Sequence, residues 1–429
     1  MIGSKLPRGS RSTLLQVGSA IVTSKLLYGI GLVSRGGQAA IQTLAPAYNC
    51  MIRFASGAFV TSPINSTMIE AGTLPFELLA AQSTARISIR VLSKDSPNLP
   101  LSQRSSNRIQ ELTDTAIPSI EQTIRRSNRD WHAPKPRIVW DVKKSVKAGD
   151  PPEKVRPIVR QLLASKFHDA TIIYTDGSKD DDTVGAGVYG DGIARMFSLP
   201  RDCSVFSAEA YAIKMALTVG NIPRTVILTD SASCLSALEA GKSQHPWIQE
   251  IEQLISHKNV RLCWNPGHAG INGNVEADRL ANEARSLPVR ETPIPAEDAI
   301  RGVKQNILSH WHNQWHNIRD TKLREIKYDT AKWTDRSNAA DQRMLTRLRI
   351  GHTRLTHTFL LKKEDPPTCE CCGIQLTVRH IIIDCRKYEN ERREQDMATT
   401  SLRAALMNET ETENKLLRFL KNTGLYKQL

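Results

Sequence analysis

The sequence predicts an α/β domain over residues 166–286, set between mostly helical N- and C-terminal regions. Three observations predict it. Between residues 166 and 286, short β-forming runs such as "ATIIYTD" and "RTVILTD" alternate with stretches of helical apolar spacing, the pattern of a sheet packed with helices. Proline-rich breaks bracket this region: Pro134, Pro136, Pro151, Pro152 and Pro157 before it, and "SLPVRETPIPAED" after it. Charge also changes sign across the breaks. Residues 101–170 carry 14 Lys/Arg against 8 Asp/Glu and residues 319–363 carry 12 against 5, whereas residues 166–286 carry 11 against 15.

Taken in order, residues 1–95 read as helical, with apolar spacing in "STLLQVGSAIVTSKLLYG" and "LPFELLAAQSTARISIRVL". Residues 96–165 read as a basic, proline-rich linker and residues 166–286 as the α/β domain. A basic helical segment with Trp311, Trp315 and Trp333 spans 287–365. A Cys/His cluster falls within 366–390, and a helical tail follows over 391–429.

Composition narrows the function classes. A chain of 429 residues has room for several cored domains, and 40% hydrophobic with 24% charged residues is a globular, water-soluble balance. The net charge of +14 calls for an acidic partner, and basic flanks around an acidic centre favour nucleic acid bound through those flanks. The apolar stretch from Leu14 to Val33 is broken by Lys25 and by Ser, Thr and Gly, so no membrane span is expected. Eight cysteines in so long a chain are not expected to form a disulfide framework, and no secretory signal is expected. A reducing intracellular compartment, nucleus or cytoplasm, is expected. Nothing in the sequence sets the oligomeric state.

The acidic residues of the central domain carry the chemistry. Asp176 and Asp230 each close a β-forming run, where open α/β sheets gather functional groups. One Asp-Gly or Asp-Ser alone would be an ordinary turn starter. Between them lies the helical pattern "VFSAEAYAIKMALTVG", with Ser207 as expected N-cap and Glu209 in the first turn. Ala212, Ile213, Ala216 and Leu217 share the face of Glu209, so its carboxylate points toward the core. Such a group needs a partner, because an unpaired buried charge costs several kcal/mol, and a cation held between carboxylates would supply one. Asp278 follows in "PGHAGINGNVEADRLANEA", on a helix beside the apolar stripe Ala277, Leu280, Ala281 and Ala284. His268, among the glycines of the preceding loop, is a candidate for proton transfer, though a loop histidine is often only that.

Asp176 in "YTDGS", Glu209 in "SAEAYA", Asp230 in "LTDSAS", and His268 with Asp278 in "PGHAGINGNVEAD" together resemble type 1 ribonuclease H, in the version carried by non-LTR retrotransposon polyproteins. The resemblance covers about 120 residues. It implies a five-stranded mixed sheet flanked by helices and cleavage of the RNA strand of RNA/DNA hybrids. It further implies Asp176, Glu209, Asp230 and Asp278 as ligands of Mg²⁺, with Mn²⁺ as substitute, and His268 as a group assisting product departure. Many relatives carry Glu where Val275 stands, and "KDDDT" adds acidity after the first motif; neither departure touches the four acids. The chemistry agrees: hydrolysing a phosphodiester needs an activated water and a stabilised leaving oxygen, the work of two Mg²⁺ ions about 4 Å apart in a ring of carboxylate oxygens. Telling RNA from DNA then rests on sensing the 2′-hydroxyl.

The flanks add two expectations. Residues 1–95 resemble the region that follows the palm in retrotransposon reverse transcriptases; no Tyr/Phe-x-Asp-Asp palm hairpin is present, so polymerase chemistry is not expected. In "CECCGIQLTVRHIIIDC", the spacing Cys369-x2-Cys372-x7-His380-x4-Cys385 suits tetrahedral Zn²⁺, with Cys371 as an alternative ligand and free cysteines in a helical tail as the plainer reading. It resembles the Cys/His element after the ribonuclease domain of related retrotransposons. The expectation for the whole chain is a metal-dependent ribonuclease H with a nucleic-acid-binding tail. The alternatives are a non-catalytic nucleic-acid-binding remnant and another nuclease of the same fold.

Overall fold

The two β-branched runs lie side by side at the centre of a mixed sheet. β2 (Thr171–Lys179) and β5 (Thr225–Thr229) pair in parallel, with Ile173 opposite Ile227 and Thr175 opposite Thr229. β2 also pairs antiparallel with β3 (Val184–Gly190), which pairs antiparallel with β4 (Ile193–Leu199). β6 (Val260–Trp264) adds to β5 in parallel, and β1 (Arg137–Val139) adds to β6, giving the order β1-β6-β5-β2-β3-β4. This computed structural model describes residues 9–33, 37–94, 107, 110, 117–124, 136–147, 149–219, 224–289, 291–319, 321–397 and 401–429. These divide into two compact units, one of residues 85–101 and 116–304, the other of residues 1–84, 102–115 and 305–429.

The five expected strands are β2 to β6. The sixth comes from the proline-rich segment, where "RIV" pairs Ile138 with Leu262. The same segment supplies the helix Pro152–Lys166, with proline in its first turn, where a missing N–H costs nothing. Val155, Val159 and Leu162 of that helix pack with Val226, Leu228 and Cys263 of β5 and β6. The chain from 136 to 166 is thus part of the sheet unit, and most of the remaining expected linker, 96–135, lies outside the described residues.

The hairpin between β2 and β3 explains the acidity of "KDDDT". The Asp180 carboxylate accepts hydrogen bonds from the amides of Asp182 and Thr183 at 3.1 and 2.7 Å, which is turn chemistry. Glycine in β3 has a packing reason. A Cβ on Gly187 would lie 2.2 Å from the Ala277 carbonyl oxygen, so the helix Asn272–Ala284 rests directly on the strand backbone. The helix Val205–Thr218 packs on β2 and β3 and buries Ala208, Ala212, Ile213 and Ala216.

In the second unit, residues read as separate N-terminal, basic and tail segments share one interior. Arg349, fully buried on the helix Ala339–Ile350, reaches Glu413 Oε1 at 2.7 Å and Glu70 Oε1 at 3.5 Å. Arg11 Nη1 meets the same Glu70 oxygen at 3.0 Å. Leu345, Leu348, Leu416, Phe419 and Leu420 form the apolar core beside this network. Among the described residues no helix is long and apolar enough to cross a membrane.

Candidate functional site

Register places the first acid. β2 does not stop at Asp176, as the sequence suggested, but runs on to Lys179, because β3 pairs with it as far as Lys179 opposite Val184. Its parallel partner β5 ends at Thr229, opposite Thr175. Asp176 therefore stands one residue past the end of the parallel pairing, and Asp230 one residue past the end of β5.

The helix that carries Glu209 begins three residues earlier than expected. Ser204, not Ser207, is its N-cap and accepts from the Ser207 amide at 3.1 Å. The Ser207 hydroxyl lies instead 2.9 Å from His245 Nε2. Glu209 thus falls beyond the first turn, and its burial owes to the approach of β2: a Cβ on Gly177 would sit 2.6 Å from the Glu209 amide nitrogen. A side chain at Gly177 would push the strand and the helix apart and separate the two acids.

Asp176, Glu209 and Asp230 bring carboxylate oxygens within 4.8 Å of one another. All three resist ionisation. Burial, then the neighbouring Asp230 and Asp278, pushes Asp176 from the usual carboxylate value up to about 8. Burial and the charges of Asp176 and Asp230 raise Glu209 well above its ordinary value. Burial also raises Asp230, while His268 and a hydrogen bond from Asn274 pull it back. The Gly177 amide offsets part of the rise at Asp176 and Glu209. Glu209 Oε2 is buried with no hydrogen-bond partner. A group left so, at an acceptor, asks for a donor or a cation.

Asp278 is outside this tightest trio but beside it. It helps raise the Asp176 carboxyl and lines the same open cavity of about 470 Å³. His268 lies at the cavity with an exposed side chain and φ of +53°, a left-handed conformation that a residue with a Cβ adopts at a cost. Asp176, Glu209, Asp230, His268 and Asp278 thus all line one cavity, with the first three drawn closest together.

Sequence reasoning missed the amides around the acids. Asn282 donates Nδ2 to Asp278 Oδ1 at 2.8 Å, and its own Oδ1 accepts from the Ser178 hydroxyl at 2.6 Å. Asn274 lines the cavity with Asp230, draws its carboxyl down, and accepts at Oδ1 from Asn265 Nδ2 at 2.6 Å. The available signal was spacing: Asn282 stands one helical turn after Asp278, and Asn274 one turn before it.

A second cluster lies in the other unit. The ligand atoms of Cys369, Cys372, His380 and Cys385 all fall within 4.8 Å of one another. Cys369 and Cys385 Sγ are 3.7 Å apart, Cys372 and Cys385 Sγ 4.0 Å. The π-helical turn His380–Asp384 leads directly from the histidine to the last cysteine. Neither ring nitrogen of His380 has a hydrogen-bond partner, although the residue is buried. Cys371 is exposed and outside the cluster.

Residues 168–286 match the RNase H family. The chain is also 31% identical over 159 residues to the Pol polyprotein of equine infectious anemia virus, in strain Wyoming and in isolates 1369 and CL22. Each alignment covers 34% of this chain and 14% of the polyprotein, so the chain spans only a small part of these relatives. Family match, sheet order and the convergence of Asp176, Glu209 and Asp230 agree: residues 168–286 are a ribonuclease H domain.

Proposed function

We propose that this protein is an endonuclease that hydrolyses the RNA strand of RNA/DNA hybrids, in the setting of a retroelement polyprotein. The observation that carries the reading is the convergence of Asp176, Glu209 and Asp230, with an orphaned Glu209 oxygen among them, on a domain of this family. The donor set fits Mg²⁺: hard carboxylate oxygens, closely spaced, in a site where burial and mutual repulsion penalise their charge. Asp176, Glu209, Asp230 and Asp278 would hold two such ions, with Mn²⁺ as substitute. Bound there, the metal supplies Lewis acidity for the attacking water and the leaving oxygen. The rest falls to the chain. His268, exposed at the cavity, moves a proton at the departing oxygen. The basic segments outside residues 166–286 hold the phosphate backbone.

The test is cleavage of a labelled hybrid with Mg²⁺, against single-stranded RNA and duplex DNA. Asp176→Asn and Asp230→Asn should abolish cleavage while leaving the fold intact, since an amide oxygen is a poor ligand for a hard cation. His268→Ala should slow turnover by about 10²- to 10⁴-fold. Full activity in either Asn variant rejects the assignment, and an inactive wild type that still binds hybrid favours a binding remnant.

The Cys/His cluster we assign to one structural Zn²⁺. A tetrahedral ion with Zn–S bonds of about 2.3 Å sets its sulfurs about 3.8 Å apart, close to the 3.7 and 4.0 Å found. His380, beside Cys369, draws that thiol down to about 6, toward the thiolate that zinc requires, while burial pushes the Cys385 thiol up to about 11. Four protein ligands close the site, which leaves it no catalytic position.

A further inference from the structure

The Asn274 amide, which lines the cavity with Asp230 and holds that carboxyl down, has an orientation, and something sets it. An asparagine side chain has two faces, one donating and one accepting. Asn274, 5% exposed, lies at the cavity in the first turn of the helix Asn272–Ala284. Its Oδ1 accepts from Asn265 Nδ2 at 2.6 Å, and this leaves its Nδ2 for Asp230. If both amides were turned over, Asn274 would aim a carbonyl oxygen at a carboxylate.

Asn265 is an unexpected residue at its position. It follows directly on β6, is fully buried, and its backbone amide donates to Thr229 at 3.0 Å, one residue before Asp230. Its side-chain Oδ1 has no hydrogen-bond partner. A buried acceptor left unpaired is destabilising, and an apolar side chain would avoid that cost. What the asparagine provides instead is one short donation, to Asn274.

We infer that Asn265 is a positioning residue: by donating to Asn274 Oδ1 it locks the Asn274 amide with Nδ2 toward Asp230, and so holds the Asp230 carboxylate in the orientation that receives a divalent cation. This rests on the metal-dependent reading of the site. Asn265 touches neither substrate nor ion; it acts through Asn274.

The test uses the full chain and Mg²⁺ alone. Mg²⁺ half-saturation is measured by calorimetry on the wild type, Asn265→Leu, Asn265→Asp and Asn274→Ala, with melting of the metal-free proteins as the control for folding. Loss of a group that orients a metal ligand typically weakens the metal about 10- to 100-fold. Asn265→Leu should therefore raise the half-saturation concentration about tenfold. Asn265→Asp, which turns an acceptor onto Asn274 and reverses its amide, should raise it at least as much. Should the buried aspartate fail to fold, the leucine variant carries the test. In an Asn274→Ala background, Asn265→Leu should have no further effect, because the relay is already cut. A folded Asn265→Leu with wild-type half-saturation overturns the inference, as does an undiminished effect in the Asn274→Ala background. A wild type that cleaves hybrid and binds Mg²⁺ alongside unaffected variants sinks only the role of Asn265; a wild type that takes up no Mg²⁺ sinks the catalytic reading with it.

Discussion

Asp176 is the residue at which burial and charge crowding meet. Its carboxyl holds a proton up to about pH 8 in the folded, metal-free chain, against an ordinary value of 3.8. Between those values the folded chain is protonated where the unfolded chain is not. Stability contributed by this group is thus full below the unfolded value and is lost as pH rises through the folded one. In Mg²⁺-free buffer the melting temperature of the sheet unit should fall from about pH 5 to about pH 8, and Mg²⁺ should cancel much of the fall. Asp176→Asn should flatten the profile without Mg²⁺. A flat wild-type profile would mean that the three carboxylates do not crowd one another. The sequence made this residue legible because an acid at the end of an apolar run is conspicuous. Asn265 was illegible there: nothing in "LCWNPGH" distinguishes a buried amide from a loop residue, and its meaning rests on a partner nine positions away.

At the scale of elements, period and caps were readable, and register was not. The alternation in "TIIYT" and "TVILT" predicts strands, but how far β2 extends depends on β3, so the end of the strand was misplaced. Ser204 and Ser207 are both competent caps, and the choice falls to Ser204 because Ser207 lies against His245. The Cys/His element shows the opposite balance. Its spacing announces a Cys/His cluster, yet the sequence does not reveal that Val378, Ile381 and Ile382 enter the unit's apolar core. That packing sets what metal removal does. Isolated zinc modules owe about 10 kcal/mol or more to their ion; here the core persists, so a chelator should lower the melting temperature and loosen the segment, not unfold the unit. Protein prepared without added zinc should carry about one ion per chain, and Cys372→Ser and His380→Ala should lose it. An ordered, zinc-free segment would mark these cysteines as packing residues.

Over the whole molecule, charge was legible and connectivity was not. Composition places the excess of Lys and Arg outside the acidic centre, whereas the ion pairs joining Arg11, Glu70, Arg349 and Glu413 link residues far apart in the chain, Glu70 and Arg349 most of all, which no local pattern announces. The division of labour has a measurable signature. Each phosphate neutralised adds about −0.9 to the slope of log affinity against log salt on a duplex. The full chain should bind hybrid more tightly than a piece limited to residues 136–304, and with a steeper salt slope. Equal slopes for the two would show that the basic segments do not touch the backbone.

The short strand β1 closes one side of the sheet by covering β6. Remove it, and β6 presents a row of bare amides and carbonyls, flanked by Leu262 and Cys263, which are buried as the chain stands. Such an edge is a template on which another chain can add. The family match begins at residue 168, after β1 and after the helix Pro152–Lys166. A polypeptide cut at that boundary would keep all four acids yet expose the edge of β6, so the stretch that carries the acids is shorter than the stretch that covers the sheet.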